Sequence, residues 1–117
     1  MIEVKITLGT RNKTMKYNYY KEIVVKGHAN DGTIQSIKCC SAVTAMLLGF
    51  ANCECGTENE VKLERGYFKF TNVAYYDHTM CICDLLVSQL DALYKVYPHL
   101  FKSFNVIVRK RGSKNDK

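Results

Sequence analysis

His28 and the tandem Cys39-Cys40 are the residues in this 117-residue chain whose types and spacing suit covalent chemistry. His28 follows an aromatic and β-branched run, and twelve residues later Cys39-Cys40 opens a stretch with helical spacing. A thiol at a helix N-terminus faces unpaired N–H groups and the positive end of the dipole. Both favour thiolate, the form that attacks carbonyls, and Lys38 adds a neighbouring positive charge. A histidine within reach completes a thiol nucleophile and its base. The free N–H groups of the helix start are then placed to hold an oxyanion. The same residue types also serve without chemistry. A free Cys is often a small buried apolar residue, and a His after a strand is often just a hydrogen-bonded one.

The other thiols are less suggestive. Cys53-Glu54-Cys55 and Cys81-Ile82-Cys83 are C-x-C pairs, whereas structural zinc sites favour C-x2-C. Four thiolates from the two pairs would make a zinc site if they met; otherwise they are ordinary core or surface thiols. No metal or cofactor is assigned. His78 and His99 have no evident partner in the sequence. Tyr17, Tyr19, Tyr20, Tyr75 and Tyr76 read as core or rim packing rather than as a stacking platform for bases.

The elements that must position these residues follow from periodicity. Ile2, Val4, Ile6 and Leu8 alternate with Glu3, Lys5 and Thr7, the pattern of a half-buried strand. Tyr19 to Lys26, centred on Ile23, Val24 and Val25, is a second strand, hairpin-paired to the first. Gly27 to Lys38 reads as a loop, with Gly27, Asn30, Asp31 and Gly32 as turn residues. From Cys40 to about Cys53, Val43, Met46, Leu47, Phe50 and Ala51 keep helical spacing, and Gly56 is the stop. Thr57 to Gly66 is polar and is assigned no element. Tyr67 to Thr71 is a short strand with Phe68 and Phe70 on one face. Asp77 is the candidate N-cap of a second helix, whose stripe is Ile82, Leu86, Leu90, Leu93 and Tyr97 and which ends at Pro98. Phe104, Val106 and Val108 alternate in a last strand. The expected fold class is α+β, in the order β-β-α-β-α-β. It is a two-layer sandwich with a mostly antiparallel four-stranded sheet and two helices on one face.

Composition agrees with a single domain. Apolar residues make up 47% and charged residues 24%, with a formal net charge of +6. No continuous apolar run approaches the roughly 18 residues of a membrane helix, so no membrane partner is expected. The alternating start, Met1 to Thr7, lacks the apolar core of a signal peptide. The six cysteines therefore read as reduced thiols of a cytoplasmic protein. The domain spans residues 1–108. Residues 109–117 form a basic tail, where Arg109, Lys110, Arg111, Lys114 and Lys117 face only Asp116. Such a tail is a solvated terminus or, as the weaker alternative, a contact for nucleic acid.

At the loop, the sequence resembles the ribosomal-processing cysteine proteases of the Prp family (YsxB-like). That family begins with a hairpin and Gly-His-Ala, followed by a cysteine opening a helix of the type Cys-Ala-Ala-Val-Ser-Ala-Leu. The chain has Gly27-His28-Ala29 and then Cys40-Ser41-Ala42-Val43-Thr44-Ala45-Met46. Gly66-Tyr67-Phe68-Lys69-Phe70 is similar to the family's third strand, and Leu85-Leu86-Val87-Ser88-Gln89-Leu90 to the middle of its second helix. The chain departs from the family in two places. Gln35-Ser36-Ile37-Lys38-Cys39 stands where the family has Gly-x-Asp-Ile-Val, and Thr44 replaces a serine.

The resemblance implies a cysteine endopeptidase that removes an N-terminal extension from a large-subunit ribosomal protein and works as a homodimer. It makes Cys40 the nucleophile and His28 its general base and acid, with Ser41, Thr44, Gly27 and Ala29 as substrate-binding or oxyanion support. The alternative is a catalytically inactive or repurposed ribosome-associated or RNA-binding module on the same fold.

Overall fold

The computed structural model describes residues 1–9, 19–29 and 31–109. Its elements are β1 (Ile2–Gly9), β2 (Tyr19–Lys26), α1 (Ile34–Glu54), β3 (Glu60–Glu64), β4 (Tyr67–Thr71), α2 (Asp77–Val96), a 3₁₀ turn (Pro98–Leu100) and β5 (Phe101–Arg109). The five strands form one sheet in the order β3-β4-β2-β1-β5. β1 runs parallel to β5, and the other pairs are antiparallel. The architecture is the expected α+β sandwich, with a mixed sheet.

Alternation in the sequence becomes rows of side chains across the sheet. Val4 lies opposite Val25, and Val25 opposite Phe68; Ile6 lies opposite Ile23, and Ile23 opposite Phe70. All of these are buried. The helices cover this face. Phe50 of α1 meets Phe68 and Phe70 edge-on, at centroid distances of 5.7 and 5.0 Å, a favoured geometry for aromatic quadrupoles. Leu86 and Leu90 of α2 complete the core. The opposite face carries Glu3, Lys5, Glu22, Lys26 and Lys69, with Lys69 Nζ 3.8 Å from a Glu22 oxygen.

Four expectations need correction. The sheet has five strands, because the polar stretch after Gly56 contains β3. Only Val61 of β3 is half-buried, and the alternation of Val61 and Leu63 with Glu60, Lys62 and Glu64 is too short to stand out in a polar stretch. Second, α1 starts at Ile34, six residues before Cys40. Its buried residues are Ser36, Cys39, Val43, Leu47, Phe50 and Glu54, a true helical stripe whose ends are polar and hence hidden from a search for apolar periodicity. Thr33 is its N-cap: the Thr33 Oγ1 accepts from the Ser36 N–H at 3.1 Å, as capping hydroxyls do. Third, α2 is capped at Tyr76 without a side-chain bond, and Asp77 is its first residue. There its charge still faces the positive end of the helix. Fourth, α1 is 21 residues long with an 18-residue window of mean hydropathy 1.4, apolar and long enough by those measures to cross a membrane. In the fold it lies against the sheet. β5 includes Arg109; the rest of the basic tail lies outside the described residues.

Candidate active site

The end of β2 is tied down on two sides before the chain turns toward α1. Gly27 has φ 93°, a left-handed conformation that residues with a Cβ rarely adopt. A Cβ there would also come within 2.1 Å of the Met1 carbonyl oxygen. The Gly27 N–H donates to the Gly66 carbonyl at 2.9 Å, joining the β2 end to the β3–β4 turn. Two residues on, the buried Ala29 engages α1. Its N–H donates to Cys40 Sγ at 3.1 Å, and its carbonyl lies 3.2 Å from the same sulfur, where it accepts from the thiol. His28 thus sits between one residue pinned to a turn and one pinned to the cysteine.

The tandem cysteines separate by helical geometry, since adjacent residues diverge by about 100°. Cys39 is fully buried in the core, whereas Cys40 is half-exposed. Burial pushes the Cys39 thiol up from its ordinary value, and neighbouring Cys40 adds to the rise. Cys40 lines a cleft of about 390 Å³ together with Gly27, His28 and Thr44. Val43, Leu47 and Leu48 of α1 form an apolar wall, and Leu63 to Tyr67, which include the charged Glu64 and Arg65, form the opposite one.

The structure brings most of the sequence-assigned residues together. His28, Cys40, Gly27 and Thr44 face one cleft, and Ala29 holds the sulfur from behind. Ser41 is exposed and is not among the cleft's lining residues. The helix-start argument does not survive. Cys40 is the seventh residue of α1, so the unpaired N–H groups of the first turn lie well before it. Of those, Ser36 N–H is taken by the Thr33 cap, and from Ile37, whose N–H donates to the Thr33 carbonyl, the regular helical bonds begin. The sulfur's hydrogen-bond partners are on Ala29 instead, and the His28 ring rests against Gly66.

The wall from Leu63 to Tyr67 went unread with β3. A signal was present. Arg65-Gly66 is a two-residue connection between alternating runs, and Gly at its second position (φ 73°) is a hairpin-turn mark. Elsewhere, Cys53, Cys55 and Cys81 are exposed and Cys83 is buried. Among the described residues, no three His, Cys, Asp or Glu side chains gather to hold a metal ion.

No family model matches the chain. No curated protein matches it either. Solved structures do. The Staphylococcus aureus ribosomal processing protease Prp, in complex with a covalently linked product peptide, superposes with a TM-score of 0.71 at 20% identity, covering 93% of this chain and 100% of that one. The same protease with a substrate peptide gives 0.68 at 20% identity, over 95% and 100% of the two chains. The Streptococcus mutans protein SMU.848 gives 0.71 at 15% identity, over 93% and 96%. Over the 93–95% of its length that aligns, the chain carries the fold of the ribosomal processing protease Prp.

Proposed function

We propose that the chain is a cytoplasmic cysteine endopeptidase that trims an N-terminal extension from a large-subunit ribosomal protein. One observation carries the reading: a half-exposed cysteine, Cys40, and an exposed histidine, His28, line a single cleft in the fold of a processing protease. The cleft combines an apolar α1 wall with a β3–β4 wall that carries Glu64 and Arg65.

In this reading, His28 takes the proton of the Cys40 thiol, and the sulfur attacks the scissile carbonyl carbon. A C–S bond forms, and the carbonyl electrons move to oxygen. The Ala29 N–H, which donates to the sulfur, supports the attacking thiolate. The tetrahedral intermediate collapses with cleavage of the C–N bond, and His28 returns its proton to the leaving amine. Water then hydrolyses the thioester, releasing the carboxylate and restoring the thiol. Thr44 and the two walls of the cleft position the peptide.

The reading includes a homodimer, supported by the open sheet face and by the exposed Val106 and Val108 of the edge strand β5. Light scattering tests it; a concentration-independent mass of one chain overturns it. The main experiment incubates ribosomal proteins bearing N-terminal extensions with wild type, Cys40→Ala and His28→Ala, and reads the products by mass spectrometry. Cleavage by wild type alone is expected. If wild type cleaves nothing and instead binds RNA with steep salt dependence, the protease reading gives way to the binding module.

A further inference from the structure

Among the described residues, four glycines adopt left-handed backbone: Gly27, Gly32, Gly56 and Gly66. At Gly32 and Gly56 the space where a Cβ would stand is open, so the conformation alone accounts for them. At Gly27 that space is closed by the Met1 backbone. Gly66 differs from all three. A Cβ there would lie 2.5 Å from His28 Nε2, 3.1 Å from Cε1 and 3.2 Å from Cδ2. The outer edge of the imidazole therefore rests on the bare Cα of Gly66.

The turn under the ring is not free to retreat. β3 and β4 pair directly on either side of it, with Glu64 opposite Tyr67. The Gly66 carbonyl accepts from the Gly27 N–H at 2.9 Å, which fixes the turn relative to the residue preceding His28. The imidazole is exposed and rotatable, so any side chain at Gly66 displaces the ring and leaves the sheet in place. We propose that Gly66 is a positioning residue: the β3–β4 turn is the seat of the His28 imidazole, and the missing Cβ sets where that ring stands in the cleft. The kinetic part of this inference rests on the reading of His28 as acid and base; the placement of the ring does not.

The expected size follows from the distances. Ordinary contact begins near 3.4 Å, and the nearest ring atom would be at 2.5 Å from a Cβ. The ring must withdraw by about 1 Å, a misplacement that costs on the order of a hundredfold in rate when it falls on a reacting group. Gly56 supplies the control. Its φ of 88° is as left-handed as the 73° of Gly66, so Gly56→Ala carries the same kind of backbone strain with no neighbour to displace.

The test compares Gly66→Ala, Gly56→Ala, His28→Ala, and Gly66→Ala combined with His28→Ala, in the full chain. One readout is the pH titration of the His28 imidazole by NMR. The second is the pH–rate profile of peptide cleavage. Gly66→Ala should move the His28 resonances and lower the rate about a hundredfold with a displaced pH midpoint, while Gly56→Ala leaves both as in wild type. The combined variant should be no slower than His28→Ala alone, because Gly66 acts through the ring. Unchanged His28 resonances in Gly66→Ala overturn the seat, as does a further loss of rate in the combined variant. If the resonances move but His28→Ala cleaves as fast as wild type, the seat stands and the reading of His28 as acid and base falls.

Discussion

Removing the carboxylate of Glu54 should destabilise the protein by about 3 kcal/mol without touching the cleft. Glu54 ends α1 and is only 2% exposed. Its Oε1 accepts from Asn59 Nδ2 and from Thr79 Oγ1, both at 2.8 Å. Asn59 Oδ1 in turn accepts from the backbone N–H groups of Val73 and Ala74, at 2.8 and 3.0 Å. One carboxylate thereby joins the end of α1, the approach to β3 and the first turn of α2. Glu54→Ala strands two buried donors, each costing about 1–3 kcal/mol. Part of that is regained, because Glu54 Oε2 is itself buried without a partner and no longer has to be desolvated. Asn59 and Thr79, 3.5 Å apart, recover little by bonding each other. A net loss of about 3 kcal/mol corresponds to a fall in Tm on the order of 10 °C for a domain of this size.

Urea unfolding followed by circular dichroism measures the loss. Thr79→Val should cost about 1 kcal/mol, and the pair should couple in a double-mutant cycle, since both changes remove the same hydrogen bond. Fourteen residues of helix, about 21 Å, separate Glu54 from Cys40, so cleavage per folded molecule should match wild type. A Glu54→Ala protein within about 0.5 kcal/mol of wild type, the range of ordinary surface changes, would refute the reasoning.

Three further outcomes are expected. Phe50→Ala should cost about 3–5 kcal/mol, because its ring meets both Phe68 and Phe70; chemical denaturation gives the number. Hydrogen bonds from the Thr33 hydroxyl and backbone N–H hold Asp31 below its ordinary pKa of 3.8. Ionised Asp31 therefore supports the fold above that value and ceases to as pH falls through its lower folded value, so Asp31→Asn should flatten the acid limb of a stability–pH curve. Cys39 and Cys83 are buried, and burial first of all raises both thiols. Peptide mapping after brief alkylation of the native protein should find them unlabelled, with label on Cys40, Cys53, Cys55 and Cys81.

What could be read from residue order was local. β1, β2, β4 and the body of α2 each carry a period of two or of about 3.6, and these were legible. β3 escaped because its alternation rests on two apolar residues, Val61 and Leu63, in a short edge strand that is otherwise charged. The first six residues of α1 escaped because their inward residues are only Ser36 and Cys39, while Ile34 and Ile37 point outward at 71% and 64% exposure. The parallel pairing of β1 with β5 joins distant segments, and no local pattern encodes it. The site follows the same division. Gly27-His28-Ala29 and Cys40 were visible as types at a spacing. The turn that carries the His28 ring, and the Ala29 backbone that holds the sulfur, depend on contacts across the fold.

The side chains that line the cleft run from Ile2 to Tyr67, whereas the second flank of β1 is completed only by β5. On the ribosome, the 42 residues from Tyr67 to Arg109 take roughly 2–8 s to add at 5–20 residues per second. For that interval the hairpins and α1 can already enclose the cleft, while β1 presents an unpaired edge of N–H and C=O groups to the cell. Such an edge is a template for pairing with another chain, and β5, made after α1 and both hairpins, removes it. β5 contributes no residue to the cleft; its place in the fold is to close the edge of β1.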